Sequence, residues 1–201
     1  MARRLFLLAF ALLLTAGPGP RVTAEQAPQN ITAARANADK SFRAGRYDEI
    51  ETLAQAFPKD EQIAVYRALG VAARGDYAKA ESILQPFASS SPGGEAALEL
   101  GLLQLYVGRR TEGRRTLTLM LSGDSADPSA RELHRGARAM RALNNIDDAQ
   151  SYFRDAIALA PTDPRINTEW GELFLEKYNK AEAAKSYQEA LKVDPEYGPA
   201  L

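Results

Sequence analysis

The chain has no cysteine, one histidine, one tryptophan and three methionines among its 201 residues. Without cysteine, disulfides, zinc-thiolate sites, iron–sulfur clusters, thiol nucleophiles and a lipidated N-terminal cysteine are excluded by count. With His134 alone, two-histidine metal motifs of the HExxH kind are excluded as well. Basic excess is also lacking: 25 Lys and Arg face 26 Asp and Glu, for a net charge of -1. The first 24 residues hold three arginines and no acid, so the 22 basic and 26 acidic residues that remain leave the rest at -4. That balance argues against a general nucleic-acid binder. What is present is 45% hydrophobic and 25% charged, the composition of a chain that folds and buries a core.

Met1-Ala2-Arg3-Arg4 is a short basic start, Leu5 to Ala16 is a 12-residue apolar run, and Gly17-Pro18-Gly19-Pro20 precedes the small-residue ending Val22-Thr23-Ala24. This order reads as an export signal over 1–24, followed by a mature domain over 25–201, in the periplasm or secreted. The run falls short of the ~20 residues of a spanning helix. An uncleaved membrane anchor is therefore the lesser reading, and no stable span is expected after signal removal. The leucine-rich run favours the general secretory route over the twin-arginine route. Asn30-Ile31-Thr32 is a glycosylation acceptor only in a host that glycosylates.

From Glu25 onward, apolar and small residues recur at spacings of three and four, in stretches of 12 to 16 residues divided by Gly, Asn, Asp and Pro. The pattern predicts an all-α chain with helices at about 30–44, 47–57, 60–74, 77–88, 94–107, 110–122, 129–143, 146–160, 164–177 and 180–193. Self-similarity organises them. Ala149, Phe153, Ala156 and Pro161 recur 34 residues later as Ala183, Tyr187, Ala190 and Pro195, and Gly136-Ala137 recurs as Trp170-Gly171. Three looser units precede them, marked by turns at Gly45, Gly75 and Gly108, and Leu100-Gly101 supplies the large–small pair of the third. A period of this size means stacked supersecondary units.

The string Trp170-Gly171-x2-Phe174, Ala183-x3-Tyr187-x2-Ala190, Pro195 resembles the tetratricopeptide repeat. The fourth unit keeps the second-helix half of that pattern, whereas Gly136-Ala137 and Met140 depart from it in the first helix. The resemblance implies an α-solenoid of about five helix pairs in a right-handed superhelix whose concave side is lined by the first helix of each pair. Small residues at Ala68, Gly101, Ala137, Gly171, Ala149 and Ala183 let the helices of a pair approach. Phe153, Tyr187, Leu84 and Leu117 fill the spaces between units, and Tyr47, Tyr77, Phe57 and Phe87 are expected to pack likewise.

One stretch is locally basic: the window 109–141 holds eight arginines and four acids. Arg131, His134, Arg138 and Arg141 share one helix face, as a candidate patch for a carboxylate or an acidic peptide segment. The opposing expectation is that Glu169, Glu172 and Glu176, on one face of the next first helix, neutralise them. His134 lacks the positioned partner that acid–base chemistry needs, and Asp147-Asp148 and Asp48-Glu49 complement helix dipoles at the start of second helices. Tyr66, Tyr106, Phe42 and Leu175 are free to face the groove as anchors for an extended peptide. No catalytic residue, metal or cofactor is assigned.

The sequence thus reads as an exported scaffold or adaptor that binds a protein or peptide in its groove. The rival readings are the front of a larger exported enzyme, such as a metallopeptidase, and a purely structural oligomerising solenoid. The helix near 180–193 carries Ala184, Tyr187, Leu191 and Val193 with little sequence after it. The expectation is that a further repeat, a second domain or another copy covers this strip.

Overall fold

The computed structural model describes residues 30–123 and 126–201. The signal-like segment 1–24 lies outside these residues. Among the described residues ten α-helices follow one another: α1 Ile31–Arg43, α2 Tyr47–Ala56, α3 Glu61–Ala73, α4 Tyr77–Ser90, α5 Glu95–Tyr106, α6 Arg110–Leu121, α7 Ala130–Ala142, α8 Ile146–Leu159, α9 Pro164–Glu176 and α10 Lys180–Val193. A short 3-10 turn, Gly198–Ala200, follows them. The expected helix boundaries agree to within two residues, the largest difference being α4, which runs on past exposed Pro86 to Ser90.

Local chemistry starts and stops each helix. The Asn30 side chain accepts from the Ala33 N–H at 2.7 Å, Asp60 from Ile63 at 3.0 Å and Asp76 from Lys79 at 3.1 Å. Ser129 and Glu132 form a reciprocal capping box at α7, while Pro164 opens α9 behind the Asp163 cap. Each first helix ends on a residue in the left-handed region: Gly45, Gly75 and Gly108, then Asn144 at φ 67° and Tyr178 at φ 59°. The turn geometry is therefore constant although its glycine is lost after the third unit.

Consecutive helices pack as antiparallel pairs, and the pairs stack into an α-solenoid. The first helices α1, α3, α5, α7 and α9 share an inner face, on which one cavity is lined by residues from all five. Small residues stand at the crossings as expected: Ala68, Ala137, Ala149 and Ala183 are buried, and a side chain built on Gly101 or Gly171 would collide with Leu117 at 2.6 Å or Tyr187 at 2.8 Å. The irregular fourth unit is explained by an exchange of volume. Gly136 occupies the place of Trp170, and the ring of Tyr152 fills the space above it, within 2.5 Å of a Cβ placed there, where the fifth unit has the smaller Ser186.

Tyr77 departs from the expected packing series. It is exposed and meets Tyr106 of α5 edge-on at 5.4 Å. At the far end, Tyr197 and Ala200 are buried against Ala190, Tyr187 and Leu191 of α10, leaving Ala184 and Val193 exposed.

Candidate functional site

The inner face has two chemically different halves. In the fourth and fifth units it is an ionic network. Arg138 lies between three carboxylates, at 2.8 Å from Glu99, 3.2 Å from Glu95 and 3.3 Å from Glu169. His134 Nε2 is 3.1 Å from the same Glu169, and its ring is 6.0 Å from that of Phe153. Arg141 spans Glu172 at 2.9 Å and Glu176 at 2.6 Å. Arg131 reaches Glu95 at 3.7 Å and donates to Gln62 at 3.4 Å, and Arg135 stands 3.9 Å from Glu95.

The structure thus brings together Arg131, His134, Arg138 and Arg141 as the helical period requires, and it places a carboxylate against each. The electrostatics follow from that pairing. Burial pushes the Glu99 carboxyl upward against the pull of Arg138, and the Glu95 and Glu169 carboxylates add to the rise. Burial also opposes charge on Arg138, yet Glu99, Glu169 and Glu95 hold it firmly protonated. Glu169 is half-buried, and the His134 hydrogen bond and the Arg138 charge overcome the desolvation penalty and lower its carboxyl. Among the described residues no group of three or more His, Asp or Glu is arranged to hold a metal ion.

Beside Glu95 and Glu99, the second and third units present an apolar stretch of the same face. Leu69, Ala72 and Ala73 of α3, Tyr77, Ala80 and Leu84 of α4, and Leu102, Leu103 and Tyr106 of α5 line an open hollow of about 480 Å³. Tyr106 is 73% exposed, a large aromatic that stands in solvent as one wall. The sole charged lining residue is Glu99, which is committed to Arg138.

Of the four residues expected to face the groove freely, Tyr106 and Leu175 are exposed. Tyr66 is tied to Asp39 by a 2.9 Å hydrogen bond, and Phe42 packs between Tyr47 and Tyr66. The hollow as a unit escaped the sequence reading. Its signal was the recurrence of Leu69 and Ala73 as Leu102 and Tyr106, each 33 residues on, the same step as Gly75 to Gly108.

The basic window around 109–141 also divides. Its α7 arginines face inward into the network, whereas Arg110, Arg114 and Arg115 are exposed on α6.

Neither a protein-family profile nor a curated protein sequence matches the chain. Solved structures do. A thermophilic tetratricopeptide-repeat protein from Thermus thermophilus superposes with a TM-score of 0.62 at 20% identity, over 84% of this chain and 94% of that one. In the Cut9–Hcn1 hetero-tetramer of the APC/C, 32% of a chain matches 83% of this one with a TM-score of 0.57 at 15% identity. The fold is that of tetratricopeptide-repeat proteins, an all-α solenoid.

Proposed function

We propose that the chain is an exported scaffold that holds a protein partner on its inner face, and that the partner presents an extended segment with apolar side chains. The apolar hollow beside Tyr77 and Tyr106 carries this reading. Apart from the Tyr77 and Tyr106 hydroxyls and Glu99, which is set against Arg138, the lining is aliphatic, so a polar occupant would lose hydration for few partners, whereas aliphatic or aromatic side chains would gain from burial. Its volume of about 480 Å³ admits more than one such side chain. The arginines of α7, each already set against a carboxylate, are better understood as the cement between units than as a receptor for an acidic segment. Export is supported by the basic, apolar and small-residue order of positions 1–24.

Selection of a displayed random-peptide library on residues 25–201 tests the reading. Enriched peptides should carry paired apolar anchors, and their affinity should fall at least tenfold on the variant Leu102→Gln/Tyr106→Ala. Enrichment of acidic peptides that bind this variant undiminished would overturn it. Scaffolds of this fold serve many partners, so the fold alone selects none of them.

A further inference from the structure

The two ends of the solenoid meet across the inner face. In the last turn of α1, Arg43 projects over the groove, with Nη1 3.7 Å from Asp194 Oδ2 at the end of α10 and its guanidinium 5.9 Å above the Tyr197 ring. Its other nitrogen is held by Asp39 at 2.7 Å, one helical turn back, which fixes the side chain in this direction. Beneath the crossing lies a cavity of about 360 Å³. Phe42 and Arg43 form one wall, Tyr197 and Pro199 the other, and Glu99, Arg138 and Glu169 lie within it.

A second approach between the ends adds little grip. The start of α9 faces Thr32, Arg35 and Asp39 of α1 across an open space of about 700 Å³. Arg165, which lines it, spends its hydrogen bonds on Asp163. The buried clusters do not bridge this gap either: the one around Ala34, Ala38, Leu53 and Ile63 belongs to the first units, and the one around Ala190, Tyr197 and Ala200 to the last. The direct contact between the first and last units therefore runs through Arg43, while Arg131 of α7 reaches Gln62 of α3 deeper in the groove.

We propose that Arg43 is a latch: it holds the first unit against the last, closes the groove over its charged floor, and releases when a partner enters. An exposed ion pair and a single cation–π contact are each weak, so the open state is within reach of a modest differential affinity. The closed state is then autoinhibitory for any ligand that must pass between α1 and Tyr197.

The absence of cysteine makes the test direct, since two labels can be placed without removing anything. Asn37 on α1 and Glu196 after α10 are both exposed, and the double variant Asn37→Cys/Glu196→Cys accepts a donor and an acceptor dye that report the separation of the two ends. Single-molecule energy transfer at low salt should show mainly a short-distance population. Arg43→Ala should raise the ratio of open to closed molecules roughly tenfold, and 0.5 M salt should move the parent part of the way in the same direction. Circular dichroism checks that the helices persist. If Arg43→Ala lowers the melting temperature, Asp194→Asn asks the same question while sparing the Asp39 pair. An unchanged distance distribution in the folded variant, or a parent already open, would overturn the latch. The measurement uses no partner, so its failure is distinct from failure of the apolar hollow to bind peptides.

Discussion

At corresponding backbone positions of the inner face the second and third units are apolar where the fourth and fifth units are mostly charged. Taking each first-helix turn as the register mark, Leu69 and Leu102 correspond to Arg138 and Glu172. One helical turn onward, Ala73 and Tyr106 correspond to Ala142 and Glu176. Because the fold fixes where these side chains go, the difference isolates what chemistry does with an identical scaffold. Leucine and tyrosine leave an unfilled hollow. Arginine and glutamate reach across to the neighbouring helix and pair with one another, and the open space of about 540 Å³ beside them is lined mainly by charged side chains. A solenoid gains stability by coupling neighbours, and here the later units add an ionic coupling where the earlier ones present an apolar hollow.

The widest separation between the halves should appear on truncation. Arg138→Ala strands Glu95, Glu99 and Glu169 in a largely buried site and is expected to cost about 3–5 kcal/mol, whereas Leu102→Ala, at a half-buried position, should cost about 1 kcal/mol. Urea melts of the two variants would read both, and equal losses would break the comparison. Next in size, Gly171→Leu forces a side chain against Tyr187 and should destabilise by about 1–3 kcal/mol; an unaltered melt would mean that the repeat register is wrong.

A smaller effect of opposite sign is expected at the turn that lacks glycine. Tyr178 sits at φ 59° and is 90% exposed, so Tyr178→Gly relieves a left-handed backbone without removing packing. A gain of about 0.5–1 kcal/mol is expected in the same melts. The smallest effect is in acid. Glu169 has its carboxyl lowered below the ordinary 4.5 in the folded protein, against burial, by His134 and Arg138. Its contribution to stability is then complete above the unfolded value and is lost as pH falls through the folded one. Thermal melts from pH 6 to 3 should show a decline that Glu169→Gln makes shallower, and an unchanged slope would separate Glu169 from the coupling.

The helices were legible because their signals are local: caps such as Asn30, Asp60 and Ser129, the turn residues, and the spacing of small residues at the crossings all lie within one unit. The pairing of Glu169, Glu172 and Glu176 with the α7 arginines was legible as one of two alternatives, since adjacent first helices were known to be neighbours. Which alternative holds depends on side-chain reach, which no spacing encodes. The engagement of Glu95 and Glu99 by Arg138 crosses from the third unit to the fourth, where the turn marks are 36 residues apart instead of 34, and it did not emerge from the period. Nor did the meeting of Arg43 with Asp194 and Tyr197, because the curvature that joins the ends accumulates over all five units. The exchange of Gly136 and Tyr152 for Trp170 and Ser186 shows why a departure from the pattern need not be a defect: the compensating residue stood on the other helix.

In the proposed function, the apolar half of the inner face binds and the ionic half couples the units. The direct test is a crossed measurement on one peptide selected from the library, with affinity by titration calorimetry and stability by thermal melt for Tyr106→Ala and Arg141→Glu. Tyr106→Ala should weaken the peptide at least tenfold at an unchanged melting temperature. Arg141→Glu, facing Glu172 and Glu176, should lower the melting temperature and leave the affinity of the folded protein as it was. Lost affinity with an unchanged melt in Arg141→Glu, together with full affinity in Tyr106→Ala, would contradict it.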